Sequence, residues 1–421
     1  MANPSLQIGN GNWAIKEDDL LGYSKAGTRF VPEPITMTRA SAGTRVNPEG
    51  LVKTVGSLGS ELLNNRDFSE IGNEEITNRD FSEIGSETTP ASDFSSSDFV
   101  TNPTAGSVSE DNGTLTFDNS SSTGVQVQLK NRDISSGKTY KIVFTLSDFT
   151  SGTFKMSVGN NITTVISYND VGAEGTHTFY VTKTGGQNRN YFYTGSTSVV
   201  VSNISVKEVG QDWTFGTGWS IAGNKASNDG TGGILRQVGA VPLSTKFKVV
   251  FTVDDYVTGN LQIKFAPVAQ TITITGDGTY TFYSDGNNST NGDLQVIATS
   301  SFQGSITNIS VKEVGQDWTF GTGWGMGDDK AISEGSNEDA YLSQSSIEAG
   351  KTYKVTFDVN DYTSGALSVR AANEASAISV TAVGSYGVYI TSISSVSIGF
   401  RSAGGAGGYV GSVRNISVKE A

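Results

Sequence analysis

Three stretches of the chain alternate strictly between apolar and polar residues. In the last of them, 353–360, every second side chain is apolar and those between are polar. A period of two is typical of a β-strand with one face on a core and the other in water. The pattern therefore predicts one long amphipathic strand at each place. The inward sets are Tyr140, Ile142, Phe144 and Leu146; Phe247, Val249, Phe251 and Val253; and Tyr353, Val355, Phe357 and Val359.

Each of these strands ends in an acid and an aromatic residue, followed by a glycine and a second alternating strand. That order is typical of an antiparallel hairpin. The acid and aromatic pairs are Asp148-Phe149, Asp255-Tyr256 and Asp361-Tyr362.

The surrounding sequence repeats. NISVKEVGQDWTFGTGW at 203–219 recurs identically at 308–324, and NISVKE returns at 415–420. Because NISVKE closes the last unit, we interpret it as a final strand and DWTFGTGW as the opening of the next unit. Many short strands separated by turn signals predict β-sandwiches. We therefore expect an all-β chain with three tandem jelly-roll modules, residues 86–209, 210–314 and 315–421.

The region before the modules has a different character. NRDFSEIG occurs at 65–72 and again at 78–85, which marks residues 61–85 as a short duplicated linker. A thirteen-residue unit cannot bury a core of its own, so no regular structure is predicted there. Residues 1–60 are expected to form an irregular N-terminal anchor.

The composition of the chain excludes several kinds of functional site. The chain has no cysteine and one histidine, which excludes disulfides, thiolate metal sites, cysteine nucleophiles and histidine clusters for zinc. Its net charge of −13 disfavours nucleic acid and anionic membranes as partners. No stretch is long and apolar enough to span a membrane, and the N-terminus lacks the pattern of an export signal. We expect synthesis as a soluble cytoplasmic protein without membrane insertion.

Residues that could carry catalysis are sparse. His177 stands where the sister modules have Tyr280 and Tyr386, so we interpret it as structural. Asp148, Asp255 and Asp361 could supply an acid pair for glycoside hydrolysis, but only the second has a neighbouring acid, so a turn aspartate is the preferred interpretation. No catalytic residue, cofactor or enzyme activity is predicted.

Four tryptophans near the module joints admit two interpretations. On an open face they would stack against sugar rings, and inside the joint they would pack modules together. They are Trp213, Trp219, Trp318 and Trp324.

The order of motifs from NRDFSEIG or DWTFGTGW through KTYKVTF to NISVKE resembles carbohydrate-binding, galactose-binding-like jelly-roll modules. The resemblance covers about residues 86–421 and implies a sandwich fold with glycans as potential ligands. That family often has an aspartate that helps hold a structural calcium where this chain has Asn203, Asn308 and Asn415. A bound structural calcium therefore stays an alternative to the prediction that the chain binds no metal.

TRASAGTRVNPEGLV at Thr38–Val52, preceded by NWAIKEDDLLGY, resembles the N-terminal region of tailed-bacteriophage virion proteins such as head and tail fibres. The resemblance implies attachment to other virion proteins through residues 1–60 and assembly into virions in the host cytoplasm. Candidate docking residues are Trp13, Arg39, Arg45 and Pro48.

The sequence thus predicts a non-enzymatic virion protein that projects its modules as a fibre or decoration, with host-surface glycans as potential ligands. We expect a homo-oligomer, with a trimer as one option, and module 3 outermost. The alternative is a bacterial cell-surface carbohydrate-binding protein or adhesin.

Overall fold

The computed structural model describes residues 21–26, 29–34, 43–46, 52–55, 58–87, 99–103, 107–111, 113–118, 125–129, 134–150, 153–158, 173–183, 190–195, 198–265, 268–284, 291–299, 301–335, 340–371, 378–402 and 408–421. All regular elements in these ranges are β-strands, and every pairing between them is antiparallel, so the all-β prediction is confirmed. None of the described residues forms a helix of the length and apolarity needed to cross a membrane.

Two short hairpins precede the modules. Strand β1 pairs with β2, and β3 pairs with β4, within the region expected to be irregular. The strands are β1 (Leu21–Ala26), β2 (Arg29–Pro34), β3 (Gly43–Val46) and β4 (Val52–Val55).

Residues 58–87 form an extended segment, here called the arm, with strands β5 (Ile71–Glu74) and β6 (Ile84–Glu87). The predicted linker is thus bound to the modules as added strands. It buries Leu63 and Phe68 in the module 3 core, and Ile76 and Phe81 in the module 2 core. Contrary to the expectation, this segment has regular structure. A segment too short to form its own core instead completes the cores of modules 2 and 3.

Module 1 has two sheets, in the orders β12-β14-β10-β7 and β13-β11-β15-β9-β8. Its strands are β7 (Phe99–Pro103), β8 (Ser107–Asp111), β9 (Thr114–Asp118), β10 (Val125–Leu129), β11 (Thr139–Ser147), β12 (Thr153–Val158), β13 (Gly175–Thr182), β14 (Asn190–Gly195) and β15 (Val199–Val209).

Module 2 has sheets in the orders β16-β19-β24-β21-β22 and β17-β18-β25-β20-β23. Its strands are β16 (Trp213–Phe215), β17 (Trp219–Ala222), β18 (Lys225–Asp229), β19 (Gly233–Gln237), β20 (Lys246–Thr258), β21 (Leu261–Phe265), β22 (Val268–Ile272), β23 (Gly278–Tyr283), β24 (Leu294–Ala298) and β25 (Gln303–Val314).

Module 3 repeats that arrangement, with orders β26-β29-β34-β31-β32 and β27-β28-β35-β30-β33. Its strands are β26 (Thr319–Phe320), β27 (Trp324–Gly327), β28 (Lys330–Glu334), β29 (Ala340–Ser345), β30 (Thr352–Ser364), β31 (Leu367–Ala371), β32 (Ile378–Val380), β33 (Gly384–Thr391), β34 (Ser397–Ser402) and β35 (Val410–Glu420).

Each sandwich has its own core between its two sheets. The long amphipathic strands predicted from the alternation are β11, β20 and β30, and every residue of the three inward sets is 3% exposed or less. The period-two pattern therefore identified the correct buried face in all three modules.

The arm crosses the modules in the order opposite to the chain. It begins beside the last strand of module 3, where Gly59 N–H donates to Glu420 O at 2.8 Å. β5 then pairs with the end of β25 in module 2, and β6 pairs with the end of β15 in module 1. Residue 58 therefore lies next to module 3, at the opposite end of the arm from module 1.

Candidate functional site

The four tryptophans lie in the module cores. Trp213, Trp219, Trp318 and Trp324 are 7%, 6%, 7% and 3% exposed. A sugar stacks on an accessible ring face, and these rings present none. Of the two interpretations, only packing is compatible with their burial, and the glycan-stacking one is not.

Trp318 forms one wall of a notch that holds the first repeat of the arm. The Phe68 ring is 2% exposed, and its centroid lies 5.2 Å from that of Trp318. The Trp318 indole N–H donates to Asn65 O at 3.0 Å, and Asn65 Nδ2 donates to Gln316 O at 3.2 Å. Gln344 bonds both backbone groups of the neighbouring residue, Asn64.

Module 2 has the same notch for the second repeat. The ring centroids of Phe81 and Trp213 lie 5.3 Å apart, and Trp213 Nε1 donates to Asn78 O at 3.1 Å. Asn78 Nδ2 donates to Gln211 O at 3.0 Å. Gln237 bonds both backbone groups of Thr77.

A glutamate fixes each repeat to the closing strand of its module. Glu61 accepts from Ser417 Oγ at 2.6 Å and from Val418 N–H at 2.9 Å, and Arg66 lies 3.4 Å from the same carboxylate. Burial raises the pKa of Glu61, but these hydrogen bonds outweigh it, so the pKa lies below the usual 4.5. The equivalent contacts of Glu74 are with Ser310, Val311 and Arg79.

The bound repeats adopt an unusual backbone conformation. Phe68 and Phe81 have φ values of 60° and 56°, in the left-handed region that bulky residues seldom occupy. Such a conformation costs on the order of 1–3 kcal/mol and persists only where the surroundings impose it. Its recurrence at both notches shows that each module holds its repeat in the same constrained turn.

His177 serves as a loop tie rather than as part of a polar cluster. Its Nε2 lies 3.0 Å from Ala173 O, and its ring lies 5.7 Å from that of Phe144. In the sister modules the hydroxyls of Tyr280 and Tyr386 donate to the carbonyls of Gly276 and Ala382, at 2.7 and 2.9 Å. The position therefore has one structural role in all three modules.

The turn aspartates contact lysines and hydroxyls. Asp361 lies 2.7 Å from Lys330 Nζ and accepts from Ser412 Oγ at 2.7 Å. The hydrogen bond from Lys330, and to a smaller extent the one from Ser412, lowers the pKa of Asp361 below the usual 3.8. Asp255 makes the matching contact with Lys225. These contacts tie strands together and favour the structural interpretation over a catalytic acid pair.

The closing-strand asparagines occupy a bulge. Asn203, Asn308 and Asn415 have φ values of 51°, 52° and 52°, a conformation that asparagine tolerates well. Within the described residues, no group of three or more histidine, cysteine or acidic side chains is placed to hold a metal ion.

The outer face of module 3 carries a shallow groove of about 380 Å³ over β30, β33 and the bulge of β35. Gly387 leaves space within it, since a Cβ there would meet only Thr356, at 3.6 Å. Tyr389 lines the groove and is 49% exposed. The groove therefore combines an accessible ring with an open floor.

Charged and polar groups line the same groove. Asp358 accepts from Asn415 Nδ2 at 2.7 Å and from Ser385 Oγ at 2.6 Å, and these two bonds lower its pKa below 3.8. Lys354 Nζ lies 5.8 Å from the centroid of the Tyr389 ring. An ionised acceptor, an ammonium donor and an aromatic ring suit a hydroxyl-rich ligand such as a sugar.

Module 2 has the same lysine and tyrosine, but module 3 covers them. Lys248 Nζ lies 3.0 Å from Asp328 Oδ1, and the Tyr283 hydroxyl donates to the same carboxylate. Burial, with the bond to Asp328, raises the pKa of Tyr283 to about 12. The equivalent face is free of such a contact in module 3 among the described residues.

This groove was not predicted, although the sequence contains a signal for it. Asp358 stands where the other modules have Thr145 and Thr252, and Gly387 stands where they have Thr178 and Thr281. Two substitutions on adjacent strands of one module distinguish its outer face from the others.

Of the candidate docking residues, Trp13, Arg39 and Pro48 lie outside the described residues. Arg45 lies in β3, where its backbone pairs with Lys53. Whether these residues dock to a virion stays a prediction.

The chain matches no protein-family model and no curated protein. Among solved structures, it is similar to the N-terminal CBM22-1-CBM22-2 tandem domain of Paenibacillus barcinonensis Xyn10C, with 9% identity, a TM-score of 0.25, and coverage of 55% of this chain and 98% of that chain. It is also similar to a chain from Sulfolobus Turreted Icosahedral Virus, with 14% identity, a TM-score of 0.21, and coverage of 77% and 91%. It is similar, too, to a chain from a structure of the triple jelly roll fold and turret assembly in an archaeal virus, with 12% identity, a TM-score of 0.20, and coverage of 77% of this chain and 89% of that chain. Scores this low carry no functional argument, so the β-sandwich assignment rests on the strands described above.

Proposed function

We propose that this chain is a non-enzymatic structural protein of a tailed-phage virion, attached through the residues before the arm and presenting three β-sandwich modules as a fibre or decoration. The observation that carries the proposal is the arm. Domains joined by simple linkers move relative to one another by default. Here one continuous segment binds all three modules, with an added strand in modules 1 and 2 and a single bridge to the last strand of module 3, which fixes their order and spacing as an extended appendage requires.

The resemblance of Thr38–Val52 to phage fibre N-termini supports attachment at that end. Because the arm begins at Gly59 beside Glu420, the attachment segment leaves the modules at module 3. Module 3 is then nearest the particle and module 1 outermost, the reverse of the order expected from the sequence.

A truncation tests the attachment. Particles are assembled with the full chain or with a chain that starts at Leu58, which keeps every arm contact. The shortened chain is expected to fold normally and to be missing from purified particles. Incorporation of both chains at equal copy number would refute attachment through residues 1–57.

The module 3 groove supports a second role, which is the binding of host-surface glycans. The alternative function, a bacterial cell-surface carbohydrate-binding protein, also includes glycan binding. Tyr389→Ala and Asp358→Asn are expected to abolish binding to an array of bacterial surface glycans. Glu348→Gln, an exposed acid of the same module outside the groove, is the matched control. Binding that survives both groove variants would exclude this site.

A further inference from the structure

We infer that the notch beside Trp318, and its equivalent beside Trp213, is a sequence-specific peptide-binding site whose ligand is the thirteen-residue repeat, and that a second copy of this chain can supply that repeat. The inference does not depend on the virion role, because it concerns only how a module recognises the arm.

The arm is recognised twice in the same way. The two repeats share NRDFSEIG, and each makes the same contacts through glutamate, asparagine and phenylalanine with a notch of the same composition. Because the contacted module residues lie 133–357 positions away in the chain, nothing local forces these contacts. The repeat is held by its sequence.

The repeat supplies the groups that each notch lacks. The backbone carbonyls of Asn65 and Asn78 accept hydrogen bonds from the tryptophan indole N–H groups. Phe68 and Phe81 fill the space against the tryptophan rings. The backbone also approaches closely at Gly72, where a Cβ would lie 3.0 Å from Glu313 Cβ. A peptide that fits must therefore carry glutamate, asparagine and phenylalanine at fixed positions, and a glycine after them avoids a tight contact with Glu313.

The contacts of the arm allow its exchange between copies of the chain. The arm forms no sandwich of its own, and its contacts are the same whether it belongs to the same chain or to another. Identical elements exchanged between copies are a low-cost route to association. In one chain the tether gives the intramolecular contact a concentration advantage, so exchange becomes visible when one notch is emptied.

A labelled peptide of residues 60–73 (SELLNNRDFSEIGN) provides the first test. It is added to the full chain carrying Phe68→Ala, whose first repeat no longer fills the module 3 notch. We expect saturable binding of one peptide per chain, and none to the wild-type chain, whose notches are filled. The same peptide with its phenylalanine changed to alanine should bind at least about 100-fold more weakly, as for other buried aromatic anchors.

The second notch provides an independent check. The full chain with Phe81→Ala should bind the same peptide, because the two repeats share their docking residues. If neither variant binds the peptide while circular dichroism shows folded modules, or if the alanine peptide binds equally well, the inference is wrong.

Mixing two complementary full chains tests exchange between copies. The acceptor carries Phe68→Ala with an intact notch, and the donor carries Trp318→Ala with an intact repeat. Each alone should sediment like the wild-type chain, and the mixture should form a larger complex that contains both chains in a one-to-one ratio. Absence of a complex, with both chains folded, would overturn exchange. If the Trp318→Ala chain fails to fold, a competition experiment replaces the mixing test. The wild-type peptide is added to a Glu61→Gln chain, where it competes with that chain's own arm. Failure of the peptide to compete would also overturn exchange.

Discussion

Phe357 is a fully buried residue of the module 3 core. It is 1% exposed and packs edge-on against Phe400 with centroids 5.1 Å apart. Removing a buried aromatic ring costs about 3–5 kcal/mol, so we expect Phe357→Ala to lower the unfolding free energy of module 3 by that amount. Amide exchange of β30 measures the loss. Tyr389→Ala, an exposed position on the neighbouring strand, should change it by less than about 0.5 kcal/mol.

Glu61 gives the arm a dependence on pH. Its pKa is lowered in the folded protein, so the stability it contributes is present above pH 4.5 and is lost as the pH falls through the folded value. Protection of the amides of residues 59–63 from exchange, corrected for intrinsic rates, should therefore fall below pH 4.5. In Glu61→Gln the same amides should show reduced protection that no longer changes across this range. Equal pH profiles for the two proteins would contradict the assignment.

At the scale of elements, alternation in the sequence predicted the strands of the sandwiches well. The inward positions of β11, β20 and β30 follow from sequence spacing alone, because one face of each strand is apolar. The arm could not be predicted in this way, since its buried residues, such as Leu63 and Phe68, are too few to show a period. Its partners are also distant, and only the match between two NRDFSEIG copies and two DWTFGTGW copies hinted at paired docking.

The module 3 groove escaped prediction for a different reason. Its residues come from three strands that pair across the sheet, with Asp358 opposite Ser385 and a bulge that brings Asn415 near them. Alternation identifies outward positions but not which of them are covered by a neighbouring module. The contact of Asp328 with Tyr283 in module 2 is such a cover, and sequence spacing does not reveal it.

Removing one repeat should expose one tryptophan. A chain that starts at Glu74 lacks Phe68 but keeps Phe81, so Trp318 loses its cover while Trp213 retains it. We expect a red-shifted tryptophan emission and faster proteolysis within module 3, relative to a chain that starts at Leu58. Adding Trp318→Phe to both chains should remove most of the spectral difference. An unchanged spectrum in the shorter chain would mean that the first repeat does not cover Trp318.

At the scale of the whole molecule, two kinds of contact hold the modules in sequence. The arm joins all three, and direct contacts connect neighbours, as where Lys246 Nζ lies 5.0 Å from the centroid of Phe320 across the joint between modules 2 and 3. Surface ion pairs and cation–π contacts contribute about 1 kcal/mol or less each. Apolar burial contributes more, both from the arm aromatics Phe68 and Phe81 and from Tyr180 and Tyr283, which pack against the core of the following module.

The direction of the arm determines which module faces outward in an assembled particle. Because the chain has no cysteine, single-site labels are unambiguous: Ser109→Cys marks an exposed position in module 1 and Asn360→Cys one in module 3. With residues 1–57 attached to the particle and Gly59 bound beside Glu420, the module 3 label must lie near the surface and the module 1 label farther out. Gold clusters attached to each cysteine and imaged on intact particles measure both distances. A module 3 label beyond the module 1 label would show that the arm is released or rearranged on assembly, since the bound arm cannot place module 3 outermost.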